Sequence, residues 1–241
     1  MDGLVRPPSV PPVDGHAPPA GAEVARNLNG QKLGRKGRDT RRRILEAAAQ
    51  LLAEGGNEPI SLSAIARRCS LGMTSLYLYF NDLTELLLAL LQPVVDQAGQ
   101  EFSELLSGSW DDERLAEHCR AFLDAYYQFW SRNAHLLHLR NSMADSGDER
   151  MTKARVRSSQ PLIGFFARQM GGCPDDKNSY SYAMATVLTT GMERTVTVAT
   201  DSRLTGLFGP DSGHAAEHYL EPEARLMELA IRDTRARARL S

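Results

Sequence analysis

Lys32, Arg35, Lys36, Arg38, Arg41, Arg42 and Arg43 crowd a short stretch in which Asp39 is the only acid. The chemistry open to such a run is neutralisation of a polyanion; taken alone it is more often a solvated charge run, so its neighbours decide its meaning. The whole chain is not basic, with a formal net charge of -2, and the residues beyond Asp96 are mildly acidic. His135 and His138 stand at i and i+3, and His118-Cys119 would have to complete a metal site with them. No spacing here reproduces a known ligand pattern, so these histidines read as ordinary surface or core residues. Cys69, Cys119 and Cys173 are odd in number and widely spaced, which argues against a disulfide framework and a paired-thiol metal site. No glycine-flanked serine elbow is present, nor a strand to carry one, so nucleophilic catalysis has no machinery. The expectation is no enzyme, no metal and no cofactor.

The 241 residues, 42% hydrophobic and 24% charged, suffice for a small module and a larger one. Residues 1–31 are rich in proline and glycine (Pro7-Pro8, Pro11-Pro12, Pro18-Pro19) with few large apolar groups, and read as a disordered tail. No apolar run is long enough to cross a bilayer and no secretory profile is visible, so a cytoplasmic protein with no membrane partner is expected. No alternating pattern suggests a strand, and helical periodicity recurs throughout. The first helix is predicted to begin near Asp39 or Thr40 and to bury Ile44, Leu45, Ala48, Leu51 and Leu52. Ser61 can cap a short second helix burying Leu62, Ile65 and Ala66 and ending around Cys69, followed by the corner Ser70-Leu71-Gly72. A third short helix is expected from about Thr74 to Phe80, and a fourth from Asp82, with Glu85 three residues on as in a capping box; Pro93 kinks or ends it. Further helical periodicity appears at about 97–107, 111–131, 134–145, 150–171, 177–201 and 215–236. The expected division is a basic arm and three-helix head over 32–92 and a helical bundle over 93–241.

Two short helices joined by a tight turn and held by Ile65, Ala66, Leu71 and Leu76 form the sequence pattern of a helix-turn-helix. Ile44-Leu45-Glu46-Ala47-Ala48, Ile60 to Ala66 and Leu76-Tyr77-Leu78-Tyr79-Phe80-Asn81-Asp82 together resemble the DNA-binding head of the TetR family, over roughly residues 40–91. That resemblance implies an all-α protein, with an N-terminal three-helix head and a C-terminal helical body for ligand binding and dimerisation. It places Met73, Thr74, Ser75, Leu78 and Tyr79 toward a DNA groove and Tyr77 against a phosphate or inward, with Leu76 and Phe80 in the core. Ser61 and Ser63 fall at the start of the bracing helix, where hydroxyls and backbone donors suit a phosphate. The family's lysine near the start of the fourth helix is absent; Leu83 stands there. Met73 to Asn81 carries no charge, so guanine reading by arginine is unavailable from this helix. The basic arm, with Lys36, Arg38 and Arg41, is expected to supply the missing phosphate contacts.

The resemblance also implies a small-molecule pocket in the body, for which Tyr126, Trp130, Met143, Phe166 and Met184 are the expected lining. The last two long helices offer Ala183, Ala185, Val187, Leu188, Gly191, Leu226, Leu229 and Ala230, either as faces meeting across a two-fold axis or as core within one chain. The expected protein is thus a homodimeric DNA-binding regulator on a near-palindromic operator, released as a repressor by a small apolar ligand. A helical protein-interaction module and a helical enzyme with an unrecognised site are the rival readings.

Overall fold

A run of basic residues can be an extended arm or a helix, and here Leu33 and Gly34 decide. The computed structural model describes residues 33–55, 59–201 and 215–240; the expected tail 1–31 and Lys32 lie outside them. Gly34 is extended at the helix boundary, Leu33 is buried, and the Arg38 guanidinium donates to the Leu33 carbonyl at 2.9 Å. Helix α1 therefore spans Arg35–Ala53, four residues earlier than expected, and the basic stretch from Arg35 onward is its first turns instead of a free arm. Asp39 and Thr40 are interior to it. The Thr40 hydroxyl donates to the Lys36 carbonyl at 2.9 Å and Asp39 pairs with Arg42 at 3.4 Å.

Every regular element among the described residues is a helix. After α1 come α2 (Leu62–Arg68), α3 (Met73–Leu76), α4 (Leu83–Glu101), α5 (Leu115–Arg132), α6 (Ala134–Asp145), α7 (Glu149–Gln169), α8 (Tyr180–Ala199) and α9 (Ala215–Ala238). Helix α3 stops at Leu76 instead of Phe80, because the chain must open out to reach Asp82, the extended cap of α4 (φ -155°, ψ 175°). The Asp82 carboxylate accepts from the Glu85 amide at 2.8 Å, and Glu85 accepts from the Asn81 amide at 2.8 Å, a capping box displaced by one residue. Pro93 does not end α4, although its ring nitrogen cannot bond the carbonyl one turn back. The chain of 102–107, expected within a helix, forms turns.

Packing divides into two cores, with α4 contributing buried residues to both and Leu52 of α1 touching the second. Ile44, Ala48, Ile65, Ala66, Cys69, Leu76, Phe80 and Leu86 build the head core. Leu87 and Leu91, on the neighbouring face of α4, belong to the body core, and half-buried Leu83 and Leu90 touch both. In the body α7 packs on α6 and α8, while α9 packs on α5 and α8. Its centre is aromatic: Trp110 meets Phe165 edge-on at 5.0 Å and Phe122 meets Phe166 at 5.3 Å. No described helix is long and apolar enough to cross a membrane.

Candidate nucleic-acid interface and body cavity

The corner between α2 and α3 is set by a backbone reversal at Ser70, a non-glycine residue in the left-handed region at φ 55°. The Leu71 amide then reaches back to the Ala66 carbonyl at 2.9 Å, closing α2. From α1, the Arg43 guanidinium donates to the Cys69 carbonyl at 2.9 Å, so the first helix grips the corner from behind. Ser61 caps α2 through its hydroxyl, which accepts from the Ala64 amide at 3.3 Å and lies 3.0 Å from the Ser63 hydroxyl.

With Leu76 and Phe80 wholly buried, the remaining residues of the segment are forced outward. Thr74, Ser75, Tyr77 and Leu78 are exposed, Tyr77 at 49%, so Tyr77 takes the outward of its two expected orientations. Met73 and Tyr79 are half-buried against the head core. Ser63 is exposed, as are Lys36 and Arg38 on α1. Arg41 is different: its guanidinium lies 4.9 Å from the centroid of the Phe80 ring. Burial holds its pKa below the usual arginine value, opposed by the charge of Glu85.

Between α4, α5, α6, α7 and α8 the body encloses a cavity of about 240 Å³. Val94, Val95, Ala98 and Gly99 form the α4 wall, just beyond Pro93, and Tyr126, Phe129 and Trp130 form the α5 wall. Phe102, Leu106, Leu137, Pro161 and Leu162 complete the apolar surface; Arg140, Arg157, Ser158, Ser159 and Glu193 supply the polar one. Of the five lining residues expected from sequence, Tyr126 and Trp130 border this cavity. Phe166 is sealed in the aromatic core, and Met143 and Met184 pack beside that core from other helices. Position on an apolar helix face could not separate these cases, since cavity wall and solid core share the same periodicity.

The polar floor went unseen in the sequence because its parts come from distant segments. Arg140, buried on α6, donates to Glu193 of α8 at 2.6 Å, to Ser158 of α7 at 3.0 Å and to Asn141 at 3.0 Å. Desolvation lowers the Arg140 pKa, and Glu193 opposes it. Burial pushes the Tyr126 hydroxyl well up, the charge on Glu193 adding to it, so this phenol stays protonated.

The histidines that a metal reading would combine are dispersed. His118 stacks on Trp110, His138 hydrogen-bonds Thr200 at 3.0 Å, and His135 lies beside the end of α1 at Gly55. Among the described residues no group of three such donors is placed to hold a metal ion.

Geometry of this kind defines an all-helical, two-part protein with a helix-turn-helix head on a hollow helical body. Comparison with known proteins carries the assignment further. Residues 44–90 match the family model of bacterial regulatory proteins, tetR family. The HTH-type transcriptional regulator SAB2452 of Staphylococcus aureus (strain bovine RF122 / ET3-1) is 28% identical over 128 residues, 53% of this chain and 65% of that relative, so the match spans less than two thirds of the relative's length. In fold the chain is similar to a TetR-family transcriptional regulator from Streptomyces coelicolor, with TM-score 0.53, 22% identity and coverage of 81% of this chain and 99% of that one. The fatty acid degradation regulator FadR from Bacillus halodurans gives TM-score 0.54 at 14% identity, covering 82% and 97%. Residues 44–90 thus carry a head of the tetR-family type, and the chain as a whole shares the all-helical fold of these solved structures.

Proposed function

We propose that this chain is a homodimeric transcriptional regulator that binds a near-palindromic operator in duplex DNA and, as a repressor, leaves it when a small, largely apolar molecule occupies the body. The observation carrying this reading is the exposed set Thr74, Ser75, Tyr77 and Leu78, pushed outward by the burial of Leu76 and Phe80 on a second helix short enough for a major groove. With no charge from Met73 to Asn81, base reading falls to hydroxyls and to apolar contact with thymine methyls. Phosphate binding falls to Ser61, Ser63 and the exposed cations Lys36 and Arg38. The effector site is the cavity, and α4 links it to the head because the same helix lines the cavity and packs in both cores. Linkage supplies the mechanism: a molecule that binds better to a body whose heads are wrongly spaced must weaken operator binding by the same factor.

Dimerisation rests on the α8 and α9 surface. Ala185 and Leu188 are core, whereas Val187 is 68%, Leu226 55% and Leu229 47% exposed, beside exposed Ala183 and Gly191. Apolar side chains this open on two packed helices suit a second copy meeting them across a two-fold axis. An electrophoretic shift with the DNA upstream of the chain's own gene tests the reading. Binding that weakens with salt and survives excess unrelated duplex is expected. No binding to that DNA at low ionic strength would remove it.

A further inference from the structure

We infer that the body cavity takes an amphipathic organic anion, an apolar molecule ending in a carboxylate, with the charged end held by Arg157 at the mouth. This rests on the reading of the cavity as an effector site and adds the ligand's chemical class.

The inference comes from the charges around the cavity. Inside, Arg140 and Glu193 cancel one another, and each nitrogen of the Arg140 guanidinium already has an acceptor: Glu193 at 2.6 Å, Ser158 at 3.0 Å and Asn141 at 3.0 Å. Glu193 also accepts from the Asn141 amide at 3.2 Å. The pair is thus closed; a ligand need not satisfy it and gains little by competing for it. Along the first half of α7, Arg150 pairs with Asp82 at 3.0 Å, Lys153 with Glu149 at 3.6 Å and Arg155 with Asp145 at 2.6 Å. Arg157 also borders the cavity, yet it makes no hydrogen bond or ion pair with any described residue.

One uncompensated cation on an apolar cavity selects among ligand classes. An organic cation is repelled by Arg157 and finds only a carboxylate already engaged by two donors. A wholly apolar molecule fills the walls but leaves the guanidinium unused. An anion placed deep in the cavity would lose its hydration beside an ion pair whose charges already cancel, with no net positive charge to replace it. An anion at the mouth keeps part of its hydration, meets the planar donor fork of Arg157, and lets its apolar part lie between Val94, Phe102 and Phe129. Neutral Tyr126 adds no opposing charge.

The test uses the full chain without DNA and three probes with the same alkyl chain: decanoate, decanol and decylamine, followed by titration calorimetry. Decanoate is expected to bind about tenfold more tightly than either of the others, and Arg157→Gln to bring it to the level of decanol. Arg157 is exposed, so the variant keeps the native fold, checked by circular dichroism. Equal affinity for decanoate and decanol, absence of binding by all three probes, or a decanoate preference that survives Arg157→Gln would each overturn the inference. Because no DNA is present, these outcomes are separate from failure of the operator-binding experiment.

Discussion

At Arg41 a single guanidinium faces two competing uses, phosphate binding and packing on the Phe80 ring 4.9 Å away. Arg41→Lys keeps the charge and loses the planar stack, so it separates the two. Melting of Arg41→Ala is expected to show a loss of about 0.5–1 kcal/mol for the missing cation–π contact. A matching loss in Arg41→Lys would assign Arg41 to the head core, while a loss of DNA affinity in Arg41→Ala alone would assign it to phosphate. Glu223 presents the opposite problem. Its Oε2 accepts from Thr195 at 2.9 Å, but its Oε1 is buried without a partner among the described residues, and burial raises its pKa above the usual 4.5. A raised folded pKa means ionisation costs stability: the penalty sets in above the unfolded value and is complete above the folded one. Glu223→Gln is therefore expected to raise the melting temperature at pH 7, by an amount equivalent to about 1 kcal/mol, and to have no effect near pH 4. Equal shifts at both pH values would show that ionisation plays no part.

At the scale of elements, α4 is the member shared by both halves, and its first turn is tied to the body by two polar contacts. The Thr84 hydroxyl donates to Asp148 at 2.6 Å, and Asp82 pairs with Arg150 at 3.0 Å. Asp148 is also the cap of α7, accepting from the Arg150 and Met151 amides at 2.9 and 3.0 Å. The Thr84 hydrogen bond, with those amides, holds its pKa below the usual carboxylate value. Stability from this group is thus present above the unfolded pKa and is lost as pH falls through the folded one. Thr84→Val keeps the shape of a buried side chain and removes the donor. The expected cost is about 1–2 kcal/mol in denaturant unfolding, together with loss of part of the pH dependence below pH 4. If the joint also carries the coupling between cavity and head, the same variant reduces the factor by which an effector lowers DNA affinity. An unchanged factor would move that coupling to Leu83, Leu90 and the apolar contacts of α4.

For the whole molecule, the proposed dimer makes the number of heads delivered together to the DNA the quantity to test. Leu226→Arg puts a charge on the open face of α9 without touching either core. Sedimentation is expected to show single copies, and DNA affinity to fall by about 100-fold or more, because the second head no longer binds as part of the same body. A dimer that persists in Leu226→Arg would place the interface elsewhere.

How much of this was legible follows from which forces act locally. The all-helical class, the short α2, the corner at Ser70-Leu71-Gly72 and the burial of Leu76 could be read from the residues, since periodicity, caps and turn chemistry act within a few positions, while the burial of Phe80 came with the family resemblance. The start of α1 was misplaced because Asp39 looks like a cap, while the actual boundary depends on Leu33 finding a buried place. That Met73 to Asn81 carries no charge is likewise a property of the residues alone. Which apolar faces are solid core, which border a cavity and which stay open depends instead on how the helices pack. Phe166 and Trp130 look alike along the chain, and Leu188 resembles Val187, yet their surroundings are made by helices far away in sequence. The Arg140–Glu193 pair, an Arg157 without a partner among the described residues and the exposed α8–α9 surface are products of long-range packing, and no local pattern encodes them.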